Sequence, residues 1–318
     1  MIGGYKIVTL CGSTRFKNEF MEAQKRLTLD GCIVISVGLF GHSGDSEVWE
    51  NMDEGTLTRT KEMLDDMHKR KIDLADEIYV INVGGYIGDS TRSEIAYAKA
   101  TGKGVKYLEP VVSVVQMRAA DAYTIAKGTP SKELMRRAAQ GVFDAYHGWE
   151  GRCTLVICGS GNNGGDGYAL AELLCAHGFA ADVLRVSEKL SEDGAYYCER
   201  CAAADVRMLT LEDPVDFADY DILVDCMLGT GFSGVPREPV AGVIRRVNEA
   251  KAAGVFVISV DINSGMNGDT GEAELAVASD LTVSIGYPKT GFYIGRAGEL
   301  IGRLVNVDIG IELPEERV

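Results

Sequence analysis

Short apolar runs, each closed by glycines or small polar residues and followed by a stretch of helical period, recur along the chain. The clearest are 155–158, 222–225, 255–261 and 281–285, with earlier ones at 5–10, 33–37, 78–82 and 105–108. Runs this short, β-branched and unalternating predict strands buried on both faces, as in parallel sheets. Further strands are predicted at 182–186 and 206–209. Helices are predicted from the residues after 16 to about 29, over 47–75 (carrying His68), over 113–147 with a break at 128–130 and Ser131 as cap, and over 240–253. Strand and helix alternate, which predicts an α/β fold. The length of 318 residues predicts two domains. Pro110 lies between two such series, so we expect domains at 1–110 and 111–318, each a parallel sheet flanked by helices.

One stretch, TLVICGSGNNGGDGYALAELL at 154–174, stands apart. Its apolar run leads into five glycines within nine residues (Gly159, Gly161, Gly164, Gly165, Gly167), and then into Ala169, Leu170, Leu173 and Leu174 at helical spacing. A strand, a glycine loop and a helix start make an anion cradle, because glycine lets the backbone approach and the first helical N–H groups are unpaired. Residues 159–164 fit G-x-G-x-x-G, which taken alone also describes a tight turn whose glycines only permit close packing. The side chains of Asn162, Asn163 and Asp166 add oxygens that a plain turn does not need.

Composition narrows the partners. There are 32 basic and 47 acidic residues, a net charge of −15 without a basic run. That argues against nucleic acid and leaves small-molecule nucleotides bound through backbone amides. Nothing at the start reads as a secretion signal and no run is long enough to cross a bilayer, so a soluble, cytoplasmic protein is expected, with no membrane partner. A homo-oligomer is compatible with the chain. The eight cysteines sit mostly inside apolar runs, as thiols of a reducing compartment do. Cys198 and Cys201, at metal or redox spacing, read as one face of a helix.

Three strand ends carry oxygen-rich loops: Asn162, Asn163 and Asp166 after the first, Asp225 and the glycine loop to Val235 after the second, and Asp261 to Gly265 after the third. In doubly wound sheets ligands gather at strand C-terminal ends. Oxygens from Asn163, Asp225 and Ser264 suit a hard monovalent or alkaline-earth ion.

The segments QMRAAD (116–121), ELM (133–135), GNNGGDGYALA, DCMLGTGFSG, SVDINSG and YPKTG (287–291) occur in the order found in NAD(P)H-hydrate epimerases, the YjeF N-terminal-type domain. The resemblance covers residues 113–313. It implies a Rossmann-like domain that interconverts the R and S forms of hydrated NADH and NADPH. It implies substrate contacts at Asn162, Asn163, Gly164, Gly165, Asp166, Gly229, Thr230, Gly231, Phe232, Ser233, Gly234, Val235 and Asp261. It also implies potassium ligands at Asn163, Asp225 and Ser264, and Asp225 is our candidate acid/base. Such domains usually read Asp-Ile-Pro-Ser-Gly where this chain has Asn263, so a less rigid turn is expected.

Residues 1–110 resemble nucleoside 2-deoxyribosyltransferase-like proteins, through CGSTR (11–15), Ala75-Asp76 and GDSTRSE (88–94). That implies a small flavodoxin-like domain that binds a nucleotide or cleaves an N-glycoside. Gly12, Ser13 and Arg15 would hold the 5'-phosphate end, and Glu94 would be the catalytic carboxylate beside the anomeric carbon. His68 stands where that group has a supporting Asp. The plain alternative makes Glu94 a helix-start acid stabilised by the dipole. Two other functions stay open for the whole chain. One is an NAD(P)-dependent oxidoreductase using Glu188 on a ribose; the other is a non-catalytic sensor of an ADP-ribose-like ligand.

Overall fold

The alternation of apolar runs and helical stretches becomes two parallel sheets in a computed structural model, which describes residues 3–40 and 53–314. The chain divides into two compact units, Met1–Pro110 and Val111–Val318. Among the described residues, no helix is long and apolar enough to cross a membrane. Parts of the loop expected at 38–45 and of the helix expected over 47–75 lie outside the described residues.

In the N-terminal unit the order is β1 (Lys6–Gly12), α1 (Lys17–Leu29), β2 (Cys32–Ile35), α2 (Glu54–Leu74), β3 (Glu77–Ile81), α3 (Asp89–Ala100) and β4 (Gly104–Tyr107). The strands lie side by side as β2-β1-β3-β4, all parallel. The central pair β1 and β3 is largely apolar, because both faces are covered. Val8, Leu10, Tyr79 and Ile81 pack on Phe20 and Ala23 of α1. Ile72, Ile78, Val80, Ile95 and Ala98 are also fully buried.

The C-terminal unit opens with α4 (Val114–Ala126) and α5 (Ser131–Ala145). It continues through β5 (Thr154–Cys158), α6 (Asn162–Ala176), β6 (Ala181–Arg185), α7 (Glu192–Ala203) and β7 (Arg207–Thr210). Then come β8 (Ile222–Cys226), α8 (Val240–Ala252), β9 (Phe256–Val260), β10 (Leu281–Ile285), α9 (Ala297–Leu300) and β11 (Arg303–Val307). The sheet order is β11-β10-β9-β8-β5-β6-β7. From β5 the chain winds outward through β6 and β7, then returns to β8 and winds the other way. The switch therefore falls between β5 and β8, where doubly wound sheets open a crevice.

Successive residues of β5 point to opposite faces. Val156 and Cys158 pack on α4–α7 with Met117, Leu134, Tyr168 and Tyr197. Leu155 and Ile157 pack on α8 with Val243, Ile244 and Val247. Truncating any of these fully buried aliphatics to Ala would cost about 2–5 kcal/mol.

Two local expectations are corrected. Ser131 is not the cap of α5: Pro130 occupies that position, and Ser131 is the first helical residue. The serine that caps is Ser113, whose Oγ accepts from Gln116 N while Gln116 Oε1 accepts from Ser113 N, a reciprocal capping box on α4. Strand β11 was not expected at all. It is a half-buried edge paired with β10, and RLVNV carries little apolar signal.

Candidate active site

The glycines of the stretch at 154–174 divide into two kinds. A Cβ on Gly159 would lie 1.9 Å from the Met227 carbonyl oxygen, and one on Gly164 only 2.1 Å from that of Gly159. On Gly165 it would meet the Met135 methyl at 2.5 Å, and on Gly167 the Cys158 sulfur at 2.7 Å. These four let α6 settle against β5, β8 and the neighbouring helices; they are packing glycines. Gly161 alone among the five faces open space, at the cap of α6. Gly164→Ala is therefore expected to destabilise the chain by ~1–3 kcal/mol or more, as overpacking against rigid backbone does. Gly161→Ala should change stability by less than ~0.5 kcal/mol and raise KM instead. Thermal melts beside Michaelis curves separate the two.

The open side of Gly161 faces a cavity of about 490 Å³ at the switch between β5 and β8. Ser160, Gly161, Asn162, Asn163 and Asp166 line one wall, Gly229–Phe232 and Asp261 another, and Arg118, Asp121 and Met135 a third. Of the expected substrate contacts, Gly164 and Gly165 do not line it, for the packing reason above. Ser233, Gly234 and Val235 line a separate depression with Pro236 and Glu238. Glu188, the ribose acid of the oxidoreductase reading, is exposed and does not line the cavity.

Asp261 follows β9 in the left-handed backbone region, at φ 64°. A non-glycine residue held there is uncommon and strained, and such residues concentrate at functional sites. Its carboxylate accepts from Lys289 Nζ at 2.6 Å and from Thr230 N at 3.4 Å. Lys289 is fully buried and also donates to the Ile285 carbonyl at 2.8 Å.

Two further carboxyl groups line the same cavity. Burial, then the Asp261 carboxylate, lift Asp121 to about 6 against the pull of Lys289. Burial, then Asp261 and Asp121, raise Asp166 well above the ordinary range. Burial and the crowding of negative charge in a sheltered cavity thus push both carboxyls up, against the pull of Lys289. Asp121 was missed as a site residue. The signal was its place in QMRAAD, but only the fold brings α4 over the strand ends.

Asp225 lies elsewhere. It is fully buried in β8 and does not line the cavity. Its Oδ1 accepts from Ser264 Oγ at 2.5 Å and Met227 N at 3.2 Å, and its Oδ2 from Ser264 N at 2.9 Å and Ser259 Oγ at 3.0 Å. This enclosure argues against the expectation that Asp225 exchanges protons with a substrate. Burial pushes its carboxyl up, and the Ser264, Met227 and Ser259 donors pull it back.

Of the three residues expected to hold a cation, Asn163 and Ser264 meet at the Leu228 carbonyl, and Asp225 is joined to them through Ser264. Asn163 Nδ2 donates to that oxygen at 3.1 Å, and Ser264 Oγ lies 3.4 Å from it. Asn163 Oδ1 is buried without a hydrogen-bond partner. An orphaned buried amide oxygen, with a buried carboxylate one hydrogen-bonded residue away through Ser264, suits a bound cation.

Asn263 corrects the expectation of a loose turn. It is fully buried, its Nδ2 lies 3.0 Å from each of the Val277 and Leu300 carbonyls and Ser279 Oγ, and its Oδ1 accepts from Thr282 at 2.8 Å. Hydrogen bonds replace the ring of a proline in fixing the loop that carries Ser264.

The sequence profile of the YjeF-related protein N-terminus matches residues 131–291, which contain α6, both glycine loops and Asp261. The chain belongs to that family. It is 34% identical over 204 residues to the NAD(P)H-hydrate epimerase of Limosilactobacillus fermentum, covering 63% of this chain and 97% of that one. It is 36% identical over 217 residues to the NAD(P)H-hydrate epimerase of Weissella koreensis, 64% of this chain and 93% of that one. The bifunctional NAD(P)H-hydrate repair enzyme Nnr of Coxiella burnetii is 33% identical over 201 residues, and there the chain spans 40% of the relative's length. The crystal structure of yeast YNL200c superposes with a TM-score of 0.54 at 22% identity, covering 66% of this chain and 97% of that one, which supports the family's fold.

In the N-terminal unit, Arg15 donates to Ser13 Oγ at 3.2 Å and to the Tyr86 hydroxyl at 3.2 Å, over whose ring its guanidinium sits. A Cβ on Gly12 would lie 2.9 Å from the Ile81 carbonyl, so this glycine is needed for the close approach of β1 and β3. Glu94 is not a helix-start acid. It stands in the second turn of α3, 3.7 Å from His68, and burial pushes its carboxyl up to about 8.

Proposed function

We propose that this chain is an isomerase of nicotinamide nucleotide repair, interconverting the R and S forms of hydrated NADH and NADPH in the cavity of its C-terminal unit. The observation that carries the reading is the carboxyl cluster of Asp121, Asp166 and Asp261 at the strand ends of a family whose named relatives are NAD(P)H-hydrate epimerases. Inverting the carbon that bears the hydroxyl requires a proton delivered as water leaves and removed as water returns to the other face. The centre left between those steps is electron-poor, and a cavity of net negative charge stabilises it. Groups whose surroundings push their pKa values apart supply the acid and the base. Asp166, whose carboxyl burial pushes up, is the acid, and Asp121, ionised above about pH 6, is the base. The Lys289–Asp261 pair fixes the third carboxylate of the cluster, and Arg118 is the cation that lines the cavity.

Asn163, Asp225 and Ser264, with the Leu228 carbonyl, would hold a potassium ion. When bound, the ion supplies a fixed positive charge under the glycine loop and ties β8 to the turn after β9. We read the C-terminal unit as Rossmann-like and the N-terminal one as a flavodoxin-like, nucleotide-binding unit, with Gly12, Ser13 and Arg15 at its first strand end.

The test is chromatographic separation of the R and S hydrates after incubation with purified chain. Equilibration well above the blank is expected. Binding without turnover would favour the ADP-ribose-like sensor, and no effect at all would overturn the assignment.

A further inference from the structure

Cys11 from β1, His68 from α2 and Glu94 from α3 meet inside the N-terminal unit. Cys11 Sγ lies 3.5 Å from His68 Nε2, and Glu94 Oε1 lies 3.7 Å from the same nitrogen. One donor atom from each residue falls within 4.8 Å of the other two. Cys11 is fully buried and His68 is 7% exposed. The second carboxylate oxygen of Glu94, Oε2, is buried with no hydrogen-bond partner. A packed core gains nothing from such a trio, since each unsatisfied polar atom in it carries a desolvation penalty.

We propose that Cys11, His68 and Glu94 form a zinc-type metal site with an open fourth position. The donor set of one sulfur, one nitrogen and one oxygen is what Zn²⁺ takes. Bond lengths of about 2.3 Å to sulfur and about 2.0–2.1 Å to nitrogen and oxygen give tetrahedral edges of about 3.6 Å and about 3.4 Å. The observed 3.5 Å and 3.7 Å separations match these to within a few tenths of an ångström.

Charge agrees with geometry. A thiolate and a carboxylate neutralise a divalent ion, so the occupied site is uncharged in its buried setting. The Leu10 backbone hydrogen-bonds the His68 imidazole, the kind of outer contact that orients ligating histidines. Three protein ligands with one free position is the arrangement of reactive zinc sites, where water or a substrate oxygen completes the shell. The proposal also removes Glu94 from the role of free nucleophile, since a metal-bound carboxylate is not available to attack a sugar.

The experiment uses the full chain, stripped with chelator and titrated with Zn²⁺ and, separately, Co²⁺. One Zn²⁺ retained per chain is expected, and the Co²⁺ form should show thiolate-to-cobalt charge-transfer absorption. Cys11→Ser should abolish that absorption. His68→Gln and Glu94→Gln should each weaken Zn²⁺ binding by about tenfold or more. Cys201→Ser, in the other unit, should leave stoichiometry and spectrum unchanged, and circular dichroism checks the fold of every variant. Absence of Zn²⁺ uptake, or equal affinity in all the folded variants, would overturn the site. So would metal-free protein that releases base from a nucleoside 5'-monophosphate and loses that activity in Glu94→Gln.

Discussion

Asp166→Asn and Asp121→Asn are each expected to lower kcat for R/S interconversion by ~10²–10⁴, the usual worth of a positioned acid or base. The two differ in pH dependence. Asp121 holds its proton up to about pH 6 instead of its ordinary 3.8. As the base, it must be ionised, so the wild-type rate should fall as pH drops through about 6, and Asp121→Asn should lose that limb. Asp166→Asn should keep the limb at a much lower plateau. Stability should move the opposite way. A carboxyl with a raised folded pKa contributes stability that is complete below the unfolded value and lost as pH rises through the folded one. The wild type should therefore lose Tm between about pH 4 and 6 more steeply than Asp121→Asn, and the variant should be the more stable at pH 7. Combining the two substitutions should cost little more than one, because the groups act as a unit. An unaltered acid limb in Asp121→Asn would remove Asp121 as the base.

The strands and their parallel pairing were legible because buried strands leave unbroken apolar runs. Runs such as LVIC, ILV and LTVSI contain no competing helical period, and β10 fell where the run predicts it. The half-buried edge β11 left no such trace. The site was legible as far as it lies next to a strand in sequence: Asn162, Asn163, Asp166 and Asp261 could be placed from the loops alone. What sequence could not give is which way a strand-end residue faces. Asp225 and Asp261 both close apolar runs, yet one turns into the protein toward Ser264 and the other, on a left-handed backbone, toward the cavity. Spacing also could not separate Gly161 from the four packing glycines, since that depends on which backbone lies opposite. Asp121 needed the tertiary fold altogether, being some forty residues and a helix away from the loop it faces.

Asp225→Asn is expected to slow epimerisation at least ~100-fold by a different route from the cavity carboxyls. Four donors converge on its two oxygens: the Ser264 hydroxyl and amide, Ser259 Oγ and Met227 N. An amide offers one oxygen and turns an NH₂ toward the remaining donors, which leaves groups unpaired at ~1–3 kcal/mol each. It also takes the formal charge out of the Asn163–Ser264 cation site. A ligand that binds only the folded state raises its stability by mass action. Wild-type chain should therefore melt higher, and turn over faster, in potassium than in matched lithium salt, and Asp225→Asn should show neither difference. Equal curves for the wild type in the two salts would remove the cation. The residual activity then separates support from proton exchange. If Asp225 only braces the loop, the variant's weak activity still falls as pH drops through about 6, because Asp121 is untouched. Loss of that pH dependence in Asp225→Asn would return the proton to Asp225, enclosed as it is.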